Sequence, residues 1–563
     1  MRSASLNQDT ATQLGKTHLR RGELPMALGC FQQAIELGAD ASVQALFIRC
    51  LFGVRFTAAV PALKPMLLRA LQEIWAAPAE LGRVIAPILL LEPDYHQTLA
   101  AIGRPDAFAS PSFRRVAADT LLLTMLERTI ITDPLLEHLL TGMRRTLLIR
   151  LREVTDEIQP YLPFCAALSS QCYASGYAYL ETECEKAAVS SLANRIAAAY
   201  HAGTPVDPAM LALLACYRPL LHYPWRDELL RGTQPPTVKS MIDRHLRAPL
   251  TELELRGTIP QLTPIRDHVS KSVQTQYSEN PFPEWLAPPL RAKNYDPQDW
   301  LRRSFPDAPS LPGDGKTPRE ILVAGCGTGQ ETVGLALLFA NINMLAVDLS
   351  LSSLAYAKRK TDELGISGVA YAQADILELD VLNRQFDIVV CAGVLHHLSD
   401  PVEGWRVLQR LTRPGGCMMI ALYSELGRRE VVAAREFVAE RAYGTTAEEL
   451  KRFRKDVYAL PAETAWRQSL LARDDFYNLS MLRDLVFHVQ EHRFTIAGIA
   501  AALRNLNLRF CGFSSEPGLY PMFRQRFGTA ADAFSLDLWS TFENENPGAF
   551  AGMYHFLVQK PTA

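Results

Sequence analysis

A glycine-rich turn between an apolar strand and a helix is the feature that most constrains the fold of this chain. The segment EILVAGCGTGQETVGLALLFA begins at Glu320 and predicts a β-strand, a turn at Gly325, Gly327 and Gly329, and then a helix. Glycines in such a turn let the backbone approach a ligand that a side chain would block. The free N–H groups of the helix that follows can hold a carboxylate or phosphate. Taken alone, the turn predicts only a nucleotide-binding α/β domain.

The spacing within the turn distinguishes between cofactor classes. The glycines follow the pattern G-x-G-x-G, which is tighter than the dinucleotide fingerprint G-x-G-x-x-G. Thr328 and Glu331 have capping-box spacing and predict that the helix begins directly after the turn. The spacing therefore disfavours a nicotinamide-dependent dehydrogenase, which remains an alternative.

Three further predicted strands end in residues suited to a ligand. NMLAVDLS ends at Asp348, about 20 residues after the turn, where a carboxylate can accept both hydroxyls of a ribose. VAYAQADI ends at Asp375, and FDIVVCAGVLHHLSD leads into a loop with His396 and His397. Strand ends of this kind meet at one edge of a parallel sheet, where ligands bind in open α/β folds. Each aspartate could instead merely cap the helix that follows it.

This ordered set of strand ends resembles the class I S-adenosylmethionine-dependent methyltransferases, closely so over residues 319–423. The stretch VLHHLSDP is similar to small-molecule methyltransferases such as the quinone-biosynthesis group. The resemblance implies an α/β Rossmann-like methyltransferase domain with a seven-stranded sheet over residues 319–563, and S-adenosyl-L-methionine as the cofactor. It also implies that LRFCGFSS and YHFLVQK are the last two strands, which close the sheet as an antiparallel hairpin pair.

The same resemblance implies which residues bind the cofactor. It puts the glycines of the turn at the methionine part, Asp348 at the ribose, and Asp375 with Ile376 at the adenine. The full set of expected cofactor-binding residues is Ala324, Gly325, Cys326, Gly327, Thr328, Gly329, Gln330, Asp348, Leu349, Asp375, Ile376, Ala392, Gly393 and Val394.

A helical region is predicted before this domain. Within residues 11–44, small and aromatic residues mark the crossing points of two predicted helices: Gly15, Gly22, Ala27, Phe31 and Ala34. This stretch resembles a tetratricopeptide repeat, with a generic helical hairpin as the alternative. One repeat cannot bury its own apolar faces, and apolar residues at helical spacing continue to about residue 250. We therefore predict an all-α, tetratricopeptide-like domain over residues 1–250, as in bacterial tetratricopeptide-repeat methyltransferases of unassigned substrate.

A connector rich in proline, residues 251–318, separates the two predicted domains and contains the run VQTQYSENPFPEW. A plain linker is one interpretation. However, Tyr277, Phe282 and Trp285 are more aromatic than a solvated linker requires. The connector could therefore cover the cofactor site.

An insertion of about 80 residues, 425–506, lies between the fifth and sixth predicted strands and exceeds a simple crossover helix. Its helical segments are rich in polar and aromatic side chains. They are either a solvated helix face or the wall or lid of a substrate pocket. Together with Trp285, the residues expected at that pocket are Arg428, Tyr477, Arg483, His488 and His492.

The chemistry of methyl transfer limits what the sequence can reveal about catalysis. Transfer from a sulfonium is an in-line displacement, which needs alignment and exclusion of water more than a strong base. The candidates near the methyl group are His396, His397, Tyr423 and, reaching over the site, Tyr277. The histidine loop could instead shape the substrate entrance without acting as a base.

Composition limits the cellular setting and the partners. A chain of 563 residues is too long for one hydrophobic core. Its 58 basic and 60 acidic residues give a formal net charge of -2, which indicates no general attraction to nucleic acid or anionic membranes. The ten cysteines form no C-x-x-C pair, so no metal site is expected. Without a signal-peptide pattern or a bilayer-spanning apolar run, a cytoplasmic protein is expected.

Three functions from different classes fit these patterns. The first is a methyltransferase that acts on a protein or peptide recruited by the helical domain, since repeat domains present concave binding surfaces. The second is a small-molecule methyltransferase, for a natural product or quinone-like acceptor, that uses the helices to form a homodimer. The third is a non-catalytic scaffold that binds S-adenosylmethionine. Intact glycines and both aspartates argue against a decayed site, but they indicate binding competence only.

Overall fold

The computed structural model describes residues 7–104, 106–153, 156–288, 290, 292–305, 307–313, 315–514 and 518–562. Backbone contacts divide the chain into two compact units. The first unit comprises Met1–Pro249, Trp285–Arg291 and Phe476–Leu479, and the second comprises Leu250–Glu284, Ala292–Asp475 and Ser480–Ala563.

The described part of the first unit is built from helices. Their bounds are α1 Gln8–Arg20, α2 Leu24–Glu36, α3 Ala41–Gly53, α4 Lys64–Gln72, α5 Pro78–Leu90, α6 Pro93–Ala101, α7 Pro111–Ala117, α8 Thr120–Arg128, α9 Pro134–Glu153, α10 Leu162–Ala174, α11 Glu183–His201, α12 Pro208–Ala215, α13 Arg226–Arg231 and α14 Pro236–Ile242. Helix α15, Ala248–Arg256, continues into the second unit. Many of these helices begin with a proline, whose fixed φ suits the first helical turn.

Helices α1 and α2 pack closely at the predicted crossing points. A Cβ atom on Gly15 would lie 2.6 Å from Cε1 of Phe31, so only glycine fits there without movement of the ring. Ala27 and Ala34 are buried at the same crossing. Gly22 lies instead in the exposed turn between the two helices, at a φ of 75°. In the described residues, no helix combines the length and the apolar character that crossing a membrane requires.

The second unit is built on a mixed sheet, which has seven strands in the described residues. The strands are β1 Arg319–Ala324, β2 Ile342–Asp348, β3 Val369–Gln373, β4 Phe386–Ala392, β5 Thr412–Tyr423, β6 Arg509–Phe513 and β7 Met553–Gln559. Their order is β3-β2-β1-β4-β5-β7-β6, and only β7 runs antiparallel to its neighbours. This arrangement confirms the predicted Rossmann-like class I fold.

Helices connect the strands and form the remainder of the second unit. They are α16 His268–Glu279, α17 Pro297–Ser304, α18 Gln330–Leu338, α19 Leu351–Glu363, α20 Pro401–Leu411, α21 Arg429–Glu440, α22 Ala447–Ala459, α23 Ala465–Leu471, α24 Leu479–Phe487, α25 Ile496–Asn505, α26 Leu519–Phe527 and α27 Leu536–Glu545. Helices α21 to α25 lie between β5 and β6. Strands β6 and β7 close the sheet as the predicted antiparallel pair. The predicted hairpin connection is wrong, because α26 and α27 lie between these strands in the sequence.

The sheet is covered on both faces. Alternate residues of a strand point to opposite sides, so Leu322 joins a core with Trp405, while Val323 joins a core with Leu354. Burial on both faces explains why β1 and β4 are nearly continuous apolar runs. Because both faces of the sheet are covered, a ligand can reach the strands only at their ends. Polar residues gather at the carboxyl ends of the parallel strands.

Candidate functional site

The glycine turn after β1 packs against two other segments of the second unit. Gly325 and Gly327 adopt φ values of 77° and 53°, which favour glycine. A Cβ atom on Gly325 would lie 2.4 Å from Cγ2 of Val394, and one on Gly327 would lie 2.4 Å from the carbonyl oxygen of Phe282. The turn is therefore tight, as predicted, and the connector leaves no space for a side chain at Gly327.

The predicted capping box after the turn is wrong. Helix α18 begins at Gln330 with Gly329 as its N-cap, and no side chain caps it. Thr328 instead bonds to the connector: its N–H donates to Phe282 O at 3.0 Å, and its hydroxyl donates to Pro283 O. Glu331 lines a cavity, where burial raises the pKa of its carboxyl.

That cavity, of about 380 Å³, lies at the carboxyl ends of β1, β2 and β4, and its lining residues all belong to the second unit. The predicted cofactor residues that line it are Gly325, Cys326, Gly327, Gln330, Asp348, Leu349, Asp375, Ile376, Ala392, Gly393 and Val394. Three predicted residues do not line it. Ala324 is buried in the core, Thr328 is bonded to the connector, and Gly329 packs against Ala357.

Two carboxylates are fixed at adjacent strand ends. Asp348 accepts hydrogen bonds of 2.8 Å from the N–H groups of Gly327 and Ser350, and burial raises its pKa. Asp375 caps the turn that follows it, because its Oδ1 accepts from Leu377 N at 3.0 Å. Its Oδ2 is buried and has no hydrogen-bond partner among the described residues. Asp375 is thus a cap and also presents a carboxylate oxygen at the cavity.

The connector contributes to the cavity wall through α16 and the turn after it. Val273, Tyr277, Phe282 and Pro283 line the cavity. Ser350 Oγ donates to Tyr277 O at 3.0 Å, which ties α16 to the end of β2. These contacts hold the segment at the strand edge, which the plain-linker interpretation does not explain. Trp285 is buried but belongs to the first unit and does not line the cavity.

The two adjacent histidines after β4 have different surroundings. His396 is fully buried and does not line the cavity; its ring stacks on Tyr423 with centroids 3.9 Å apart. Neither of its ring nitrogens has a hydrogen-bond partner among the described residues, and burial lowers its pKa. His397 lines the cavity, and its Nδ1 lies 2.7 Å from the carbonyl oxygen of Gln490. Burial lowers the pKa of His397 to about 4, so its ring is neutral near pH 7.

Tyr277 belongs to a hydrogen-bonded group formed by α16, α24 and the residues directly after α24. Its hydroxyl donates to Asp484 Oδ1 at 2.5 Å, and His488 Nε2 lies 3.2 Å from the same oxygen. Gln490 N–H donates to His488 Nδ1 at 3.0 Å, so Nε2 carries the proton of the neutral ring and donates to Tyr277. The His488 ring also stacks on His397, with centroids 3.6 Å apart.

His397, Asp484 and His488 are also close enough to hold a metal ion, because one ligand atom from each lies within 4.8 Å of the others. Their hydrogen bonds oppose that use. A metal needs a nitrogen lone pair, yet the Nδ1 lone pair of His488 accepts from Gln490 and its Nε2 carries a proton. The geometry favours a hydrogen-bond network over a metal centre.

Charged side chains from the helical insertion line the end of the cavity near Tyr423. Arg428 lies over the Tyr423 ring at 3.8 Å and pairs with Glu491, and both charged side chains are almost fully buried. Arg473 and Asp475 also line the cavity. The sequence did not single out Arg473, Asp475 or Asp484, because no local pattern distinguishes them from residues of a solvated helix.

Of the residues expected at the substrate pocket, only Arg428 lines the cavity. Arg483 pairs with Glu279 at 2.7 Å, and His488 is bonded to Tyr277. His492 bonds to Gln490 through its ring and to His396 O through its main chain. Tyr477 is buried in the first unit. Arg428, Arg483 and His488 are buried, which contradicts the solvated-face interpretation at these positions.

Comparisons with known proteins find a methyltransferase family model, sequence relatives and a solved structure that are similar to parts of this chain. A family model described as a methyltransferase domain matches residues 319–468. The uncharacterized protein syc1184_c of Synechococcus sp. is 30% identical over 291 residues, 49% of this chain and 68% of that protein. A ubiquinone biosynthesis O-methyltransferase of Alkalilimnicola ehrlichii is 34% identical over 115 residues, 20% of this chain and 44% of that enzyme. The structure of PKMT2 from Rickettsia typhi in complex with AdoHcy has 18% identity and a TM-score of 0.35, over 46% of this chain and 51% of that one.

These matches cover the relatives unequally. The chain spans 68% of the Synechococcus protein, but only 44% of the ubiquinone enzyme and 51% of the Rickettsia protein. The family-model match begins at β1 and ends within the helical insertion. The match therefore covers β1 to β5 and part of the insertion, and it does not extend to the helical unit.

Proposed function

The chain belongs to the class I S-adenosylmethionine-dependent methyltransferases, and we propose that it methylates a protein or peptide whose reacting side chain enters the cavity. The cavity volume of about 380 Å³ carries this proposal. Pockets for small molecules span roughly 300–1,000 Å³, so this volume is near the lower limit. With the cofactor in place, we propose that the remaining space would suit a slim side chain better than a second ring system.

The chain's residues fit the cofactor, which supplies a methyl group on a positively charged sulfur when bound. Asp348, held at the end of β2, would accept hydrogen bonds from the ribose hydroxyls. Asp375 Oδ2 has no partner among the described residues and would accept one from the adenine amino group. Because Gly325 and Gly327 carry no side chains, the turn would let the main chain approach the methionine part closely.

The residues at the other end of the cavity would position the acceptor and exclude water. Tyr277, Phe282 and Tyr423 provide aromatic walls. In-line displacement depends on alignment, which such rigid walls enforce. His397 presents a neutral ring at the same place. His396 stacks on Tyr423 without lining the cavity, so its role would be to support that ring.

We further propose that the helical unit recruits the substrate through a basic groove. A cavity of about 640 Å³ in that unit is lined by Arg104, Arg145, Arg150 and His138, and no carboxylate is among its described lining residues. Arg145 uses its Nε for Glu185, and Arg150 pairs with Glu157. The terminal nitrogens of Arg145 are left for another partner. An acidic peptide segment is the occupant that this charge favours.

The direct experiment incubates the full chain with radiolabelled S-adenosylmethionine and host extract, then separates protein from small molecules. The proposal expects label in the protein fraction, and a variant with Asp348→Asn should give less than about a tenth of that label. Label confined to small molecules would refute a protein substrate.

Two further expectations need their own measurements. Fractionation of host cells tests the expected cytoplasmic location. Sedimentation of the purified chain tests whether it forms a homodimer.

A small-molecule acceptor is the second candidate. The observation that favours it is the 34% identity shared with a ubiquinone biosynthesis O-methyltransferase over 115 residues. The helical unit would then serve dimerisation rather than recruitment. The same labelling experiment distinguishes the two candidates, because a phenolic acceptor would carry the label into an organic extract.

A further inference from the structure

We propose that Asp484 is a positioning residue for methyl transfer: it receives the hydroxyl proton of Tyr277 while the Tyr277 oxygen takes a proton from the acceptor. This inference rests on the proposed function, since it assigns a proton path to the same site. It requires an acceptor atom that carries an exchangeable proton, such as an N–H or O–H group. The sequence-based candidates included Tyr277 but not Asp484.

The hydrogen bonds of Tyr277 indicate the direction in which a proton would move from the cavity to Asp484. Tyr277 lines the cavity, whereas Asp484 is only 3% exposed and does not line it. The Tyr277 hydroxyl donates to Asp484 at 2.5 Å, and His488 Nε2 donates to the Tyr277 oxygen at 3.2 Å. A phenol oxygen has two lone pairs. One lone pair accepts from His488, and the hydroxyl proton is donated to Asp484. The second lone pair is therefore available to a group in the cavity.

Asp484 lacks the direct ion partner that usually accompanies a buried carboxylate. Among the described residues, no lysine, arginine or histidine forms an ion pair with it; its hydrogen-bond partner is the neutral Tyr277. The titratable and charged groups that face this pair from the surrounding elements are Asp348, His397, Tyr423, Arg428, Arg435, Asp475, His488 and Glu491. Burial, with a contribution from Asp475, raises the pKa of Asp484 to about 7. A group with that pKa exchanges protons readily near neutral pH.

The step balances without a further reactant. The acceptor's lone pair forms a bond to the methyl carbon as the carbon–sulfur bond breaks and leaves its electron pair on sulfur. The acceptor proton moves to the Tyr277 oxygen, and the Tyr277 proton moves to Asp484 Oδ1. Asp484 later returns a proton to solvent through Tyr277. His397, the other neutral base at the cavity, has a pKa of about 4 and is the weaker proton acceptor.

A second tyrosine–aspartate pair in the chain provides a matched control. The Tyr443 hydroxyl donates to Asp456 Oδ2 at 2.5 Å, and neither residue lines the cavity. Asp484→Asn and Asp456→Asn remove the same carboxylate charge from the same kind of hydrogen bond. Only the first should affect the reaction.

The experiment measures the full chain by carbon-13 NMR, with label on the tyrosine ring carbon that bears oxygen, and by the pH dependence of kcat/KM. In the protein without substrate, the Tyr277 signal, assigned with Tyr277→Phe, should shift with a midpoint near the pKa of about 7 given for Asp484. Asp484→Asn should abolish that shift, and Asp456→Asn should preserve it. The rate should fall below the same midpoint, and Asp484→Asn should lower kcat by about 10²–10⁴-fold and remove this pH dependence. Affinity for S-adenosylhomocysteine should not change.

Several results would overturn the proposal. The first is a Tyr277 signal that does not shift between about pH 6 and pH 8. The second is an Asp484→Asn variant whose pH dependence of kcat/KM is unchanged. The third is a stoichiometric divalent metal ion that copurifies with the chain and is lost in that variant. If Asp484→Asn fails to fold, the NMR titration of the unmodified chain decides alone. An absence of label in any acceptor would refute the proposed function, whereas the NMR titration would still report on the Asp484–Tyr277 pair.

Discussion

The main-chain N–H of Thr328 donates a 3.0 Å hydrogen bond to the carbonyl oxygen of Phe282. This bond joins the glycine turn of the α/β domain to the connector that precedes it in the sequence. Both segments line the same cavity. We therefore predict a link between ligand binding at the turn and the position of Phe282 in the connector.

Gly327→Ala tests that link. The new Cβ atom would lie 2.4 Å from Phe282 O, at a φ of 53° that alanine disfavours. We expect about a tenfold loss of affinity for S-adenosylhomocysteine, equivalent to about 1.4 kcal/mol, because the new side chain would displace Phe282 from the cavity wall. Calorimetry measures it. Gly365→Ala is the control, because its φ of 65° imposes the same strain with no atom within 4 Å. Equal losses in both variants would contradict the link.

Asp484→Asn should stabilise the protein at neutral and alkaline pH. The pKa of Asp484 is raised to about 7 by burial, so its contribution to stability is present at acid pH and lost as pH rises through about 7. The gain in free energy of unfolding for the variant should grow from about pH 4 to pH 7 and reach at most roughly 4 kcal/mol. Urea unfolding at several pH values measures it. A gain that is the same at every pH would show that the carboxyl does not titrate as described.

The crossing of α1 and α2 gives a test in the helical unit. Gly15→Ala would place a Cβ atom 2.6 Å from Phe31, so we expect a loss of about 1–3 kcal/mol in the free energy of unfolding. Gly29→Ala, in α2 with nothing within 4 Å, should instead gain up to about 1 kcal/mol from helix propensity. Thermal unfolding compares the stabilities of the two variants. If Gly15→Ala leaves the free energy of unfolding unchanged, α1 and α2 pack less closely than described.

The basic groove of the helical unit predicts a specific effect on substrate binding. Arg104→Glu should raise KM for a protein substrate by about tenfold at low salt, with kcat and cofactor affinity unchanged, because Arg104 is not among the residues that line the methyl-transfer cavity. Arg231→Glu, an exposed arginine outside the groove, is the matched control. Steady-state kinetics at two salt concentrations measure both. An equal rise in KM for both variants would indicate that substrate binding depends on the overall charge of the chain and not on the groove.

The sequence predicted the sheet and the strand ends that line the cavity because their signals are local. The glycine turn, Asp348 and Asp375 each follow an apolar strand directly, and a parallel sheet brings strand ends together. Thr328 was misassigned as a cap because its partners, Phe282 and Pro283, lie far away in the sequence.

The other end of the cavity could not be predicted in the same way. Asp475 and Asp484 lie in an insertion whose helices pack through long-range contacts, such as that of Asp484 with Tyr277. His396 and His397 are adjacent and share the same local sequence pattern. Only the tertiary packing determines that His396 is buried while His397 lines the cavity.

The most direct measurement is a calorimetric titration of the full chain with S-adenosylhomocysteine and, separately, with NAD. We predict one site per chain for S-adenosylhomocysteine, with affinity reduced at least about tenfold by Asp348→Asn, and no detectable binding of NAD. Binding of NAD without binding of S-adenosylhomocysteine would contradict the assignment of this cavity to the methyl donor.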